Sequence, residues 1–131
     1  MKLLLDTHIA LWAYTDSLRL GPKARALIAD PANQVFVSAA SIWEIAVKRR
    51  LARGLATAMP ISGAEALRAF TEAGYHLLDI SPEHAVAIET LPLLHGDPFD
   101  RILVAQALTE PLRLLTRDPK IVAYGDFVWA V

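Results

Sequence analysis

Along this chain, short unbroken apolar runs alternate with longer stretches in which apolar residues recur every three or four positions. "KLLLD" (2–6), "QVFVS" (34–38), "YHLLDI" (75–80) and "LRLLT" (112–116) are of the first kind. They are too short for stable helices and rich in branched side chains, which predicts buried strands. "FVWAV" (127–131) predicts a last strand at a sheet edge. The intervening segments carry helical spacing and helical punctuation. Gly21-Pro22 precedes "KARALIAD", and "AASIWEIAVKRRLARG" closes on a basic turn and Gly54. Ser62 and Glu65 have capping-box spacing at the head of "SGAEALRAFTEAG", and Ser81-Pro82 opens "EHAVAIETL". Strands alternating with helices predict a parallel sheet in an α/β sandwich. With no internal repeat, low-complexity tract or linker, residues 1–131 read as one domain.

Composition narrows this picture. Over 131 residues, 54% are hydrophobic and 21% charged, which excludes disorder and suits a sheet covered on both faces. There is no cysteine, so disulfides, cysteine-ligated zinc and thiol catalysis are excluded. A net charge of −1 argues against binding nucleic acid through bulk positive charge but leaves room for a local basic patch. "MKLLLDTHIALWAY" has the look of a signal peptide, yet Asp6 and His8 interrupt it and no small-residue cleavage site follows. No stretch reaches the ~18 apolar residues of a membrane span. The expectation is a soluble, cytoplasmic protein without membrane association.

The acids supply the chemistry. Ligands of open parallel sheets bind beyond the carboxyl ends of the strands, and four acids fall near those ends. Asp6 closes the first strand, Glu44 lies in the second turn of the helix after the second, and Asp118 follows the fourth in "LLTRDP". Asp100 opens the helix "DPFDRILVAQA" that leads into the fourth strand. Each has a plainer reading. Asp6 and Asp118 suit helix caps, and Glu44 has capping-box spacing from Ser41. Glu44 is nevertheless flanked by Ile42, Trp43, Ile45, Ala46 and Val47, where a carboxylate is costly unless paired or bound to a metal. Asp97 before Pro98 reads as a cap, and Asp100 as the ligand it positions. Four converging carboxylates repel one another unless a cation sits among them. Hard divalent cations such as Mg²⁺ favour oxygen ligands and leave room for phosphate oxygens, so the pattern points to phosphoryl transfer or phosphodiester hydrolysis, with the metal activating water.

Together, "LLLDTH", "VSAASIWEIAVK", "DPFDRILVAQA" and "LLTRD" resemble the PIN domains, specifically the VapC-type toxins of bacterial toxin–antitoxin pairs. The resemblance spans the whole chain with the motifs in the family's order. It implies a three-layer α/β/α sandwich with a central parallel sheet of four to five strands. It further implies Mg²⁺- or Mn²⁺-dependent endoribonuclease activity, a homodimer, and inhibition by a cognate antitoxin protein. By motif, Asp6, Glu44, Asp100 and Asp118 are the metal-binding and catalytic acids, with the hydroxyls of Thr7 and Thr116 beside them. The third acidic role is open to being shared between Asp97 and Asp100.

Around the acids, Lys48, Arg49, Arg50 and Arg53 read either as contacts to RNA phosphates or as cations complementing a helix C-terminus; Glu44 and Lys48 also have ion-pair spacing. Arg101 and Arg117 read either as phosphate contacts or as salt-bridge partners of the adjoining acids. His8 and His95 share no metal-binding spacing and read as residues near the site or on the surface. Trp12, Trp43 and Trp129 read as core, with Trp43 alternatively a dimer or antitoxin contact. Other functions fit less well. A catalytically silent binding module has little use for clustered carboxylates. A haloacid-dehalogenase-like phosphatase needs a second aspartate where His8 stands, and a receiver domain needs paired N-terminal acids. No glycine-rich turn supports a dinucleotide site.

Overall fold

The computed structural model describes residues 1–51 and 59–131. Its elements run β1 (Lys2–Leu5), α1 (Thr7–Tyr14), α2 (Pro22–Ala29), β2 (Gln34–Ser38), α3 (Ala39–Leu51), α4 (Gly63–Glu72) and β3 (His76–Leu78). They continue with α5 (Pro82–Ala87), extended by a 3₁₀ turn at Ile88–Thr90, then α6 (Pro98–Thr109), β4 (Arg113–Thr116), α7 (Pro119–Val122) and β5 (Val128–Ala130). Among the described residues the strands form one five-stranded sheet in the order β3-β2-β1-β4-β5, and every pairing is parallel. β5 lies at an edge, as its short apolar sequence predicts.

The period-two geometry of a strand sends successive side chains to opposite faces, and here both faces are apolar. Leu3, Leu5, Val35, Val37 and Leu115 pack with Ile9, Ile45, Ala66 and Phe70 on one face. Leu4 and Leu114 point the other way, into Leu103, Val104, Ile121 and Val128. The result is the three-layer α/β/α sandwich. On the first face α3 and α4 approach closely: a Cβ added at Gly63 would lie 2.9 Å from the Ala46 Cβ, so only glycine fits without a shift.

The strand order places the site. From β1 the chain builds outward through β2 and β3, then returns to place β4 on the other side of β1. Such a reversal leaves a crevice at the carboxyl ends of the two central strands. In register, Leu5 of β1 faces Leu115 of β4, so the residues just beyond them, Asp6 and Thr116, open onto that crevice. No described helix is long and apolar enough to cross a membrane.

Candidate metal centre

Asp6 is the first residue past β1, and its backbone N–H still bonds the Leu115 carbonyl at 3.0 Å. Its side chain caps α1 by accepting the His8 N–H at 3.2 Å and takes the Thr116 hydroxyl proton at 2.5 Å. Cap and site are therefore one carboxylate. Burial pushes the Asp6 carboxyl above its ordinary range despite the opposing hydrogen bond from Thr116 and the nearby His8. Asp118 likewise caps α7, accepting the Lys120 N–H at 2.9 Å, while its own N–H bonds Thr116 Oγ1 at 3.0 Å. Thr116 thus ties the two strand-end aspartates together.

Asp97 caps α6, accepting from the Phe99 N–H at 2.8 Å and the Asp100 N–H at 3.4 Å, with Pro98 in the first helical turn where it sacrifices no hydrogen bond. Asp100, in the same turn, carries a pKa raised to about 7, first by burial and then by the charges of Asp6, Asp97 and Glu44. Glu44 projects from the second turn of α3 and is 2% exposed. Its Oε2 pairs with Lys48, and its Oε1 is buried with no hydrogen-bond partner. Ser41 makes no capping box with it: Ser41 is the third residue of α3, past the capping position, and its hydroxyl accepts from Thr7 Oγ1 at 2.8 Å. Burial alone would lower the Lys48 pKa, but the hydrogen bond and charge of Glu44, with Asp97 and Asp100, hold it above the ordinary lysine value.

These side chains line one cleft of about 360 Å³. Asp6, Glu44, Asp97, Asp100 and Asp118 lie within it, with His8, Trp12, Arg19, Lys48 and Arg117 around them. His95 closes one side: its Nε2 lies 3.0 Å from Asp100 Oδ2 and 3.0 Å from Asp118 Oδ2. His95, Asp100 and Asp118 each offer a ligand atom within 4.8 Å of the others. The donor set fits a hard divalent cation. It is rich in carboxylate oxygen, it contains mutually repelling acids, and the buried Glu44 Oε1 lacks any other partner.

Several expectations change in detail. Thr7 faces Ser41 and fastens α1 to α3, whereas Thr116 touches both Asp6 and Asp118. Arg101 forms neither a phosphate-facing contact nor a salt bridge to an adjoining acid. Its guanidinium turns to the carbonyls of Pro92 and Ile88 and to the Tyr124 hydroxyl, holding the 88–95 loop. Arg117 lies over the Trp12 ring, 5.7 Å from its centroid, and donates to the Arg19 carbonyl on the rim of the cleft. The run from Lys48 to Arg50 does not act as one patch. At 100° per residue only Lys48 reaches the acids; Arg49 and Arg50 line a separate groove between α3 and α4, where Arg49 bonds the Met59 carbonyl at 2.6 Å. Arg53 lies outside the described residues. Trp43 is not core: it is 56% exposed, its ring edge-on to Phe99 at 4.7 Å between centroids. Trp12 and Trp129 are half-buried against the core. Sequence reasoning placed His95 only near the site or on the surface, without a partner, and Arg19 and Tyr124 carried no signal of their own.

The model of the PIN domain matches residues 3–126. The chain belongs to the PIN-domain family. This PIN domain is similar to ribonuclease VapC22 of Mycobacterium tuberculosis, with 31% identity over 121 residues, covering 90% of this chain and 88% of that protein. Among solved structures it resembles VapBC2 of Rickettsia felis bound to a promoter DNA fragment, with a TM-score of 0.69 at 15% identity, covering 100% of this chain and 98% of that one. It also resembles a toxin–antitoxin complex from Klebsiella pneumoniae, with a TM-score of 0.63 at 23% identity, covering 97% and 95% of the two chains. At these identities the structural likenesses speak to the fold.

Proposed function

We propose that this PIN domain is a metal-dependent endoribonuclease and the toxin of a toxin–antitoxin pair. One observation carries the reading. Carboxylates from four separate parts of the chain meet at the strand-order reversal of the sheet, and one of them, Glu44, keeps a buried oxygen without a partner. A folding role alone accounts for caps at Asp6, Asp97 and Asp118, but not for a buried, half-paired glutamate beside them. The ribonuclease relative supports an RNA substrate, and the toxin–antitoxin neighbour supports an antitoxin partner.

In this reading Asp6, Asp100 and Asp118 hold Mg²⁺ or Mn²⁺, and Glu44 is either a further ligand or the base that orients water. Bound metal supplies water activation and neutralises charge on the phosphate. The chain's own residues do the rest. Thr116 fixes Asp6 and Asp118 relative to each other, while Lys48 holds one Glu44 oxygen and leaves the other without a hydrogen-bond partner. Arg19, Arg117 and Lys48 give the acidic floor a basic rim, which suits a polyanion threaded across it. The mixture also explains how a chain of net charge −1 engages RNA. We further propose that the protein forms a homodimer.

Incubation of purified protein with an RNA panel, with and without Mn²⁺ or Mg²⁺, tests the reading. Metal-dependent cleavage leaving 5′-phosphate and 3′-hydroxyl ends, lost in Asp6→Asn, is expected. Cyclic-phosphate ends, or full activity in excess chelator, would mean the acids are not the catalytic centre. A folded chain that binds RNA and cuts none of the panel would favour a silent binding module.

A further inference from the structure

We propose that His95 is the positioning residue of this metal centre, acting as a hydrogen-bond donor that sets Asp100 against Asp118. The inference rests on the metal-dependent reading above and assigns a role to a residue outside the four acids. Asp118 reaches the cleft from just past β4 and Asp100 from the first turn of α6, and among the described residues no backbone hydrogen bond joins the two turns. Thr116 bonds Asp118 and Asp6 but not Asp100. What spans the remaining gap is the His95 ring, with Nε2 at 3.0 Å from one oxygen of each carboxylate.

The ring's other contacts decide whether it donates or ligates. His95 Nδ1 accepts the Asp97 N–H at 3.3 Å. A neutral imidazole whose Nδ1 accepts carries its proton on Nε2, so Nε2–H donates to Asp118 Oδ2, with Asp100 Oδ2 at the same 3.0 Å distance, and has no lone pair for a metal. The ring is also anchored from behind. The His95 backbone N–H bonds the Tyr124 hydroxyl at 3.2 Å, and that hydroxyl accepts from Arg101 at 3.0 Å. Arg101 in turn holds the Pro92 carbonyl at the start of the same loop. Through this chain of contacts the arginine of "DPFDR" serves the site without touching it. The contact sets Asp100 Oδ2 against the ring that also bonds Asp118, the arrangement by which an outer partner pre-organises a carboxylate ligand.

Mn²⁺ binding measured by calorimetry and electron paramagnetic resonance on the wild-type chain, His95→Ala and His95→Gln tests the assignment. Removing the donor in His95→Ala should weaken Mn²⁺ binding by about 10- to 100-fold. His95→Gln, which restores an N–H donor of similar reach, should recover much of the loss. The wild-type spectrum should lack the hyperfine coupling of a directly bound imidazole nitrogen. Unchanged binding in His95→Ala, or no recovery in a folded His95→Gln, overturns the positioning role. A directly coordinated nitrogen that disappears in His95→Ala overturns it too, making His95 a ligand. If the wild-type chain binds no Mn²⁺, the metal reading itself falls and this assignment falls with it, an outcome separable from a variant that binds as well as wild type.

Discussion

Thr116 donates its hydroxyl to Asp6 at 2.5 Å across 110 residues of sequence, and the same oxygen accepts the N–H of Asp118 at 3.0 Å. One buried side chain therefore sets two candidate ligands that lie just past the ends of neighbouring strands. Thr116→Val keeps the shape and removes both bonds, leaving a buried donor and acceptor unpaired at a cost of about 1–3 kcal/mol. Metal affinity should fall as well, by about 10- to 100-fold, and Thr116→Ser should restore both properties. Urea unfolding and a Mn²⁺ titration on the two variants check this. Full affinity in Thr116→Val with a loss in Thr116→Ser would show that the methyl group, not the hydroxyl, matters at this position.

Asp100 carries a pKa raised to about 7, so the folded protein holds a proton there over a range where the unfolded chain, near 3.8, has released it. Stability from this group is full below the unfolded value and is lost as pH rises through the folded one. Without added metal, stability should therefore decline between about pH 4 and 7 by a component that Asp100→Asn lacks. Mn²⁺ should offset that decline, since it binds the ionised form, and its binding near pH 6 should release protons. Urea midpoints across this range, wild type against Asp100→Asn, provide the measurement. Superimposable pH profiles would show that Asp100 titrates in its ordinary range.

The elements were legible because burial on both sheet faces leaves short, unbroken apolar runs, as in Leu3–Leu5 and Leu114–Leu115, and because Pro98 and Pro119 mark helix starts. The acids at strand ends were legible from topology, since a parallel sheet collects its strand ends at one edge. His95 was not. It precedes α6 in a loop, and its partners lie 5 and 23 residues further along, a separation no local spacing rule captures. Arg101 misled for a related reason: adjacency to Asp100 in sequence says nothing of direction, and one helical step swings its side chain toward Tyr124. Trp43 shows the limit of composition, because a large apolar side chain predicts burial without saying whether this chain or another supplies it.

The half-paired Glu44 gives Lys48 a defined energetic role. Lys48→Met removes the only cation that, among the described residues, bonds the buried Glu44 carboxylate, and should destabilise the fold by about 1–3 kcal/mol without added metal. A bound divalent cation supplies replacement charge, so millimolar Mn²⁺ should recover more stability in Lys48→Met than in wild type. In Glu44→Gln the penalty of losing Lys48 should shrink, because a neutral amide needs no counter-ion. A double-mutant cycle with and without Mn²⁺ measures the coupling. Equal Mn²⁺ stabilisation of wild type and Lys48→Met would mean that the cation does not sense the Glu44 charge.

Trp43 stands 56% exposed on α3, edge-on to Phe99 in the first turn of α6. Phe99 lies between Asp97 and Asp100, so this aromatic pair borders the acidic cleft without entering it. Large aromatics left in water are the side chains that most often anchor interfaces. Because the ring is largely solvated in the single chain, Trp43→Ala should change fold stability little. If it anchors the proposed homodimer, self-association should weaken by about 2 kcal/mol, roughly 30-fold in the dimer constant. Sedimentation equilibrium on wild type and Trp43→Ala gives that constant, and urea unfolding at a dilution where both are monomeric gives the fold stability. A wild-type chain that stays monomeric at high micromolar concentration would remove the homodimer and leave the acidic centre untouched. A wild-type dimer that Trp43→Ala matches in affinity would move the contact to another face.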